Sequence, residues 1–298
     1  MNAPRAPLYY HVVHDTLYDY SSSVTHGHHL AHLSPRDTPN QHVLEHHIVC
    51  DPAPTETTPI RDYFGNRTLS FLITEPHDRL MVTSNSRIEV HYRAPDPDAA
   101  AAPWESALVH DPYQPEPMDV AEMRLPSPHV ECMPLSQQYA DRFFPPGRPW
   151  LEAMLDLTQH IKNEFVYDPR ATSVSTPLEE VISSHRGVCQ DFAHLMLSCL
   201  RSLKLPARYV SGYVLNEPPP GVAKLEGSDA SHAWVETWLP TLGWVGFDPT
   251  NGKLADHEFL TIAWGRDYMD VTPLRGMVLG GGSHNLTVRV SVSQETPD

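Results

Sequence analysis

The sequence predicts an α+β protein: an N-terminal antiparallel β-sandwich followed by a core of helices packed on an antiparallel sheet. Three observations predict it. Residues 8–93 hold short Tyr- and Thr-rich apolar runs separated by turn clusters. From Trp150 the apolar residues step by three or four, the helical period. After Ala207 the period returns to two, so helices come first and strands follow.

The β part, residues 1–93, contains Leu69-Ser70-Phe71-Leu72-Ile73 and the alternating Ile88-Glu89-Val90-His91-Tyr92. Ser34-Pro35-Arg36-Asp37 and Phe64-Gly65-Asn66-Arg67 read as turns. Strands at roughly 8–12-residue spacing suggest a small antiparallel sandwich. Residues 94–149 begin with a Pro- and Ala-rich stretch and end Phe-Pro-Pro-Gly-Arg-Pro, so they read as a linker with one short helix near 135–144. Residues 150–298 form the core. Trp150, Met154, Leu157, Ile161 and Phe165 make one helical face. A second helix near 188–204 carries Phe192, Met196, Cys199, Leu200 and Leu203. Strands follow at 207–215, 231–239, 243–248 and 285–293, all assigned to one core sheet. Gly280-Gly281-Gly282 lacks the context of a phosphate loop and reads as a turn.

Composition narrows the function. The chain has 298 residues, 21 Lys+Arg against 37 Asp+Glu, and a formal charge of −16. That balance argues against nucleic acid or an anionic membrane as partner, because phosphate contacts need dense cationic surface. No run approaches 18 apolar residues and no secretory leader is visible, so a cytoplasmic protein is expected. The four cysteines, at 50, 132, 189 and 199, form no CxxC pair, which fits a reducing compartment. Nine of the nineteen histidines precede residue 50. They lack a tidy ligand set, so no metal or other cofactor is expected, and the histidines read as polar strand faces or a subunit contact of a homo-oligomer.

The chemistry starts at Gly187-Val188-Cys189-Gln190-Asp191-Phe192-Ala193-His194, where Cys189 opens the second helix. Free amide N–H groups and the helix dipole at a first turn favour a thiolate over a thiol. Gly187 lets substrate or backbone approach closely. Cys50, Cys132 and Cys199 read as packing residues, and that role is the alternative for Cys189. His232 begins the strand Ser231–Leu239 and can take and return a proton near neutral pH. Asp248 ends the next strand before Pro249, where it either forms a turn or accepts the imidazole Nδ1–H and orients the ring. If the two strands form a hairpin, His232 and Asp248 share a face only when the loop near Pro240-Thr241-Leu242 has an odd number of residues.

These residues resemble the transglutaminase-like superfamily, of papain-like fold, in its bacterial form with an N-terminal β domain. The resemblance runs through Phe165–Pro169, Ser175–Val181, Arg186–Leu195, Leu205–Tyr213, Asp229–Trp234 and Gly243–Asn251. It implies Cys189 as nucleophile, His232 as base and Asp248 as acid. It also implies acyl transfer on a peptide or protein substrate: a thioester on Cys189, resolved by water in a peptidase or amidase, or by an amine in a protein-glutamine transglutaminase. A non-catalytic binding module of the same fold is the third alternative. The resemblance further hints at a partner system containing an ATP-grasp ligase-like protein. Four residues are candidates for substrate binding or the oxyanion. Gln190 and Asp191 face the cleft or cap the helix. Tyr167 offers a phenol or packs in the core. Trp234 walls the cleft beside His232 or simply packs.

Overall fold

The computed structural model describes residues 6–108, 117–215, 229 and 231–295. Five strands open the chain: β1 (Leu8–Ala31), β2 (Gln41–Asp51), β3 (Glu56–Arg61), β4 (Arg67–Ile73) and β5 (His77–Val90). Strand β1 is 24 residues long and runs straight through Ser21-Ser22-Ser23. A register shift between Asp19 and Val24 divides it. Its first half pairs with β5, which pairs in turn with β2; its second half pairs with β4, which pairs with β3. All these strands belong to one seven-stranded antiparallel sheet organised around β1, and Phe71, Ile73, Leu80 and Val82 from its two halves cluster in one core.

The segment read as a linker folds against the core. It holds α1 (Pro97–Ala100), α2 (Met118–Glu122) and α3 (Pro134–Asp141). Val130, Ala140, Phe143 and Phe144 are buried with the core helices. The fully buried Arg201 donates to Met123 O and Ser127 Oγ, both at 3.2 Å. Proline density signalled fixed turns here, but the buried apolar residues between them drive packing.

The core follows as α4 (Trp150–Glu164), β6 (Val166–Tyr167), α5 (Leu178–Ser184), β7 (Arg186–Gly187), α6 (Cys189–Ser202), β8 (Ala207–Val214), β9 (Ser231–Leu239), β10 (Gly243–Asp248), β11 (Lys253–Leu254) and β12 (Phe259–Gly265). The antiparallel sheet has the order β11-β10-β9-β8-β12. Helix α6 is buried from Asp191 to Arg201, so it is the central helix rather than a surface one. Trp150, Met154, Leu157 and Ile161 of α4 pack with Phe192, Met196 and Leu200 of α6 over Tyr209, Val235 and Phe247 of the sheet. Burying each such side chain contributes about 1.5–3 kcal/mol.

The chain ends with β13 (Leu274–Gly280) and β14 (His284–Glu295). Both pair with β1, β14 along its first half and β13 along its second. The last strand therefore belongs to the N-terminal sheet and not to the core sheet, where its alternation had placed it. Alternation reveals an apolar face but not the partner that pairs beside it. Val290 and Val292 pack with Tyr10, Val12, Ile88 and Val90 onto Tyr213, Leu260 and Ile262 of the core.

Candidate active site

Cys189 is the first residue of α6, half-buried at its N-terminus. Short parallel pairing of β6 with β7 sets Tyr167 beside Gly187 and fixes the backbone that leads into the helix. The Asp191 side chain turns back: its Oδ2 accepts the Val188 N–H at 2.8 Å and the Thr172 hydroxyl at 2.6 Å. Asp191 thus caps the helix and does not line the cleft, because a buried carboxylate must be satisfied and the first-turn N–H groups are the nearest donors. A Cβ on Gly187 would lie 2.7 Å from Asp191 Oδ2 and 2.8 Å from its Cβ. The glycine makes room for the cap. Gln190 also faces sideways, its Nε2 donating to Val174 O at 3.3 Å. The two residues after Cys189 therefore fasten the 172–174 segment beside the nucleophile.

On the sheet, β9 and β10 pair as Leu239↔Gly243 and Trp238↔Trp244. The loop between them has three residues, 240–242, and Gly243 leaves it at φ +77°. The odd loop gives His232 and Asp248 the same face. His232 Nε2 lies 2.8 Å from Asp248 Oδ2. The carboxylate holds Nε2 rather than the Nδ1 expected from the sequence, which leaves Nδ1 as the ring nitrogen for the Cys189 thiol.

Asp248 is fully buried. Besides His232, it accepts Thr250 N–H at 2.8 Å and Asn251 N–H at 3.3 Å on Oδ1, and Asn251 Nδ2–H at 2.6 Å on Oδ2. Burial opposes its charge, but these bonds and the His232 charge hold it below the usual carboxylate range. For His232 burial likewise opposes charge. Hydrogen bonds to Asp248 and Cys189, and their charges, outweigh it and raise the ring to about 10.

Trp234 is buried and stacks beside His232, ring centroids 6.3 Å apart at 26°. Its indole needs the bare backbone of Gly212, where a Cβ would stand 2.5 Å from Cη2. Phe259 closes the other side, 6.2 Å from His232 and 5.2 Å from Trp234. Tyr167 is half-exposed; its ring meets Phe192, one turn below Cys189, at 6.4 Å. Burial raises its phenol, with smaller contributions from Cys189 and Asp191. The structure thus brings Cys189, His232 and Asp248 together, with Trp234 and Tyr167 flanking them, and turns Gln190 and Asp191 away. Sequence reasoning missed Asn251, Thr172 and Phe259. Asn251 was visible as a polar residue in the turn after Asp248; nothing local pointed to Thr172 or Phe259. Among the described residues no group of three or more His, Cys, Asp or Glu side chains is arranged to hold a metal.

Residues 10–89 match the bacterial transglutaminase-like N-terminal region, and residues 137–249 match the transglutaminase-like superfamily. An uncharacterized Mycobacterium tuberculosis protein (Rv2569c) is 39% identical over 293 residues, 95% of this chain and 91% of its own. An uncharacterized Mycobacterium leprae protein is 33% identical over 95% of this chain and 98% of its own. A protein-glutamine gamma-glutamyltransferase of Pseudomonas aeruginosa is 34% identical over 99 residues, which cover 33% of this chain and 15% of that one. A crystal structure from Cytophaga hutchinsonii, provisionally named a cysteine protease, superposes with a TM-score of 0.79 at 22% identity, over 99% of this chain and 93% of that one. The chain belongs to the transglutaminase-like superfamily, with the bacterial N-terminal β region ahead of a papain-like core.

Proposed function

We propose that the protein catalyses cysteine-dependent acyl transfer on a peptide or side-chain amide, with water as the usual acceptor. The observation that carries this reading is the His232 ring, held 2.8 Å from the fully buried Asp248 carboxylate, with Cys189 among the groups that raise the ring. A ring so oriented can take the thiol proton. Cys189 Sγ attacks the amide carbonyl. The oxyanion forms near the Cys189 backbone N–H, a first-turn donor without a helical partner, and the Tyr167 phenol is the second candidate donor. His232 then passes its proton to the leaving amine, and a thioester stays on Cys189. Water releases the acid and frees the thiol. The similarity of the core to a protein-glutamine gamma-glutamyltransferase supports a second reading, in which an amine takes the acyl group. The described cysteines are all unbridged, which supports a reducing, cytoplasmic setting. A peptide-making partner system of ATP-grasp type rests on the sequence resemblance alone.

The test is incubation with an activated acyl ester and mass mapping of the adduct. Wild type should carry the acyl group on Cys189, lose it to water, and lose it faster with an added primary amine only if the second reading holds. His232→Ala should acylate at least about 100-fold more slowly, since positioned proton transfer contributes about 10²–10⁴-fold. Absence of an adduct on Cys189 in wild type would sink the reading and leave a binding module of the same fold.

A further inference from the structure

The turn after β10 contains one bond more than it needs. Its backbone is already closed by Thr250 N–H and Asn251 N–H on Asp248 Oδ1, and by Gly252 N–H on the Asp248 carbonyl at 2.8 Å. Gly252 sits at φ +71° against Lys162 of α4, where a Cβ would meet Lys162 Cγ at 3.1 Å. The Asn251 side-chain amide adds nothing to that closure. It reaches back to Asp248 Oδ2 at 2.6 Å, the oxygen that His232 Nε2 occupies at 2.8 Å. Asn251 is itself solvent-exposed, whereas Asp248 is fully buried. Its amide therefore stands between water and the oxygen that orients the ring.

We infer that Asn251 is a positioning residue for the active site: its amide fixes the Asp248 carboxylate so that Oδ2 faces the His232 ring, and keeps water from that oxygen. This rests on the Cys189–His232–Asp248 reading above. Two donors on one oxygen define its direction, because the carboxylate cannot rotate without breaking both charge-assisted bonds. The same bond favours the charged form of Asp248, the form that supports the protonated ring. The titratable neighbours are few. His232 on β9 faces Asp248 directly, and Cys189 on α6 faces it through His232. Lys253 on β11 is paired in register with Asp248, but its ammonium is held by Asp256 at 3.3 Å and Glu258 at 2.5 Å.

The experiment is the rate of Cys189 alkylation by iodoacetamide from pH 4 to 10, with peptide mapping, on the full chain. Wild type, His232→Ala, Asn251→Ala and Asn251→Asp are compared, and thermal melting monitors folding. Asn251→Ala should move the acid limb upward by roughly 0.5–1 pH unit, because Asp248 loses a donor that favours its charged form. Asn251→Asp, of the same shape but with a second acceptor, should move it further. An Asn251→Ala profile that overlays wild type, or one lowered evenly at every pH, overturns the inference while leaving the His232 dependence intact. If wild type and His232→Ala label alike, the Cys–His reading fails and the inference falls with it.

Discussion

Gly187 and Asp191 show how one residue's chemistry dictates another's identity. Asp191 occupies the third helical position and takes the N–H of Val188, just before the nucleophile. It also binds the Thr172 hydroxyl, so a single carboxylate joins the helix cap to the segment beside the cleft. A side chain on residue 187 would push it off both donors. Gly187→Ala should therefore destabilise the protein by about 1–3 kcal/mol, the range for leaving buried polar groups unpaired. Asp191→Ala loses the same bonds but removes the clash. The double variant should be less destabilised than the sum of the singles by about 1 kcal/mol or more, within the range of coupling between contacting residues. Urea denaturation of the four proteins checks this, and additive losses would mean that the clash does not operate. The sequence had presented Gly187 as a site of close approach. What it could not tell was that the approaching group is the chain's own Asp191.

At the level of elements, hairpin β9–β10 was legible because its logic is local. The strand limits were read from a short stretch of residues and the period of two; the shared face of His232 and Asp248 was reduced to the parity of one loop, which the structure then supplied. The start of α6 at Cys189 was legible for the same reason. Strand β14 was not, since its pairing with β1 joins residues nearly the whole chain apart. The position of β14 bears on the site. Asp229 N–H donates to Val290 O at 3.0 Å, and Asp229 Oδ2 accepts Val292 N–H at 2.8 Å. Three residues later stands His232. The last strand of the β region thus anchors the lead-in to the strand that carries the imidazole. Asp229→Ala removes the acceptor from Val292 N–H in a buried place and should destabilise by about 1–3 kcal/mol. It should also slow His232-dependent alkylation of Cys189. Asp229→Asn keeps an acceptor oxygen and should recover most of both. Recovery of stability without recovery of labelling would show that the carboxylate acts on His232 by some route other than holding the strand.

Across the whole molecule, the β region and the core are welded rather than tethered. Core strand β12 lies at the edge of its sheet. Two side-chain amides from the β region hydrogen-bond to its backbone: Gln41 with Thr261 N–H and C=O, both at 2.8 Å, and Asn66 with Trp264 N–H at 3.0 Å and C=O at 2.8 Å. They satisfy an edge that would otherwise invite another strand. Arg36 stacks on Trp264 at 3.5 Å, and Arg208 lies over the same ring at 3.6 Å. In the same seam His14 is 1% exposed, its Nδ1 2.7 Å from the Tyr213 hydroxyl and its Nε2 3.0 Å from Thr16 Oγ1. Burial lowers its pKa from 6.5 to about 4, against a smaller opposing effect of Asp15. His29 and His46 are lowered to about 4 and His194 to about 3, again chiefly by burial. Between pH 6.5 and 4 the unfolded chain therefore binds more protons than the folded one, so stability falls as the pH falls through that window. The difference for His14 alone amounts to at most about 3 kcal/mol. His232 works the other way. Its contribution is complete below pH 6.5 and is lost as the pH rises through about 10. The melting temperature should thus decline on both sides of neutrality. His14→Gln, which keeps a donor and an acceptor but cannot be protonated, should flatten the acid side between pH 6.5 and 4 and leave the alkaline side unchanged. An acid slope identical to wild type would assign the loss to His29, His46 and His194 and remove the seam from the account.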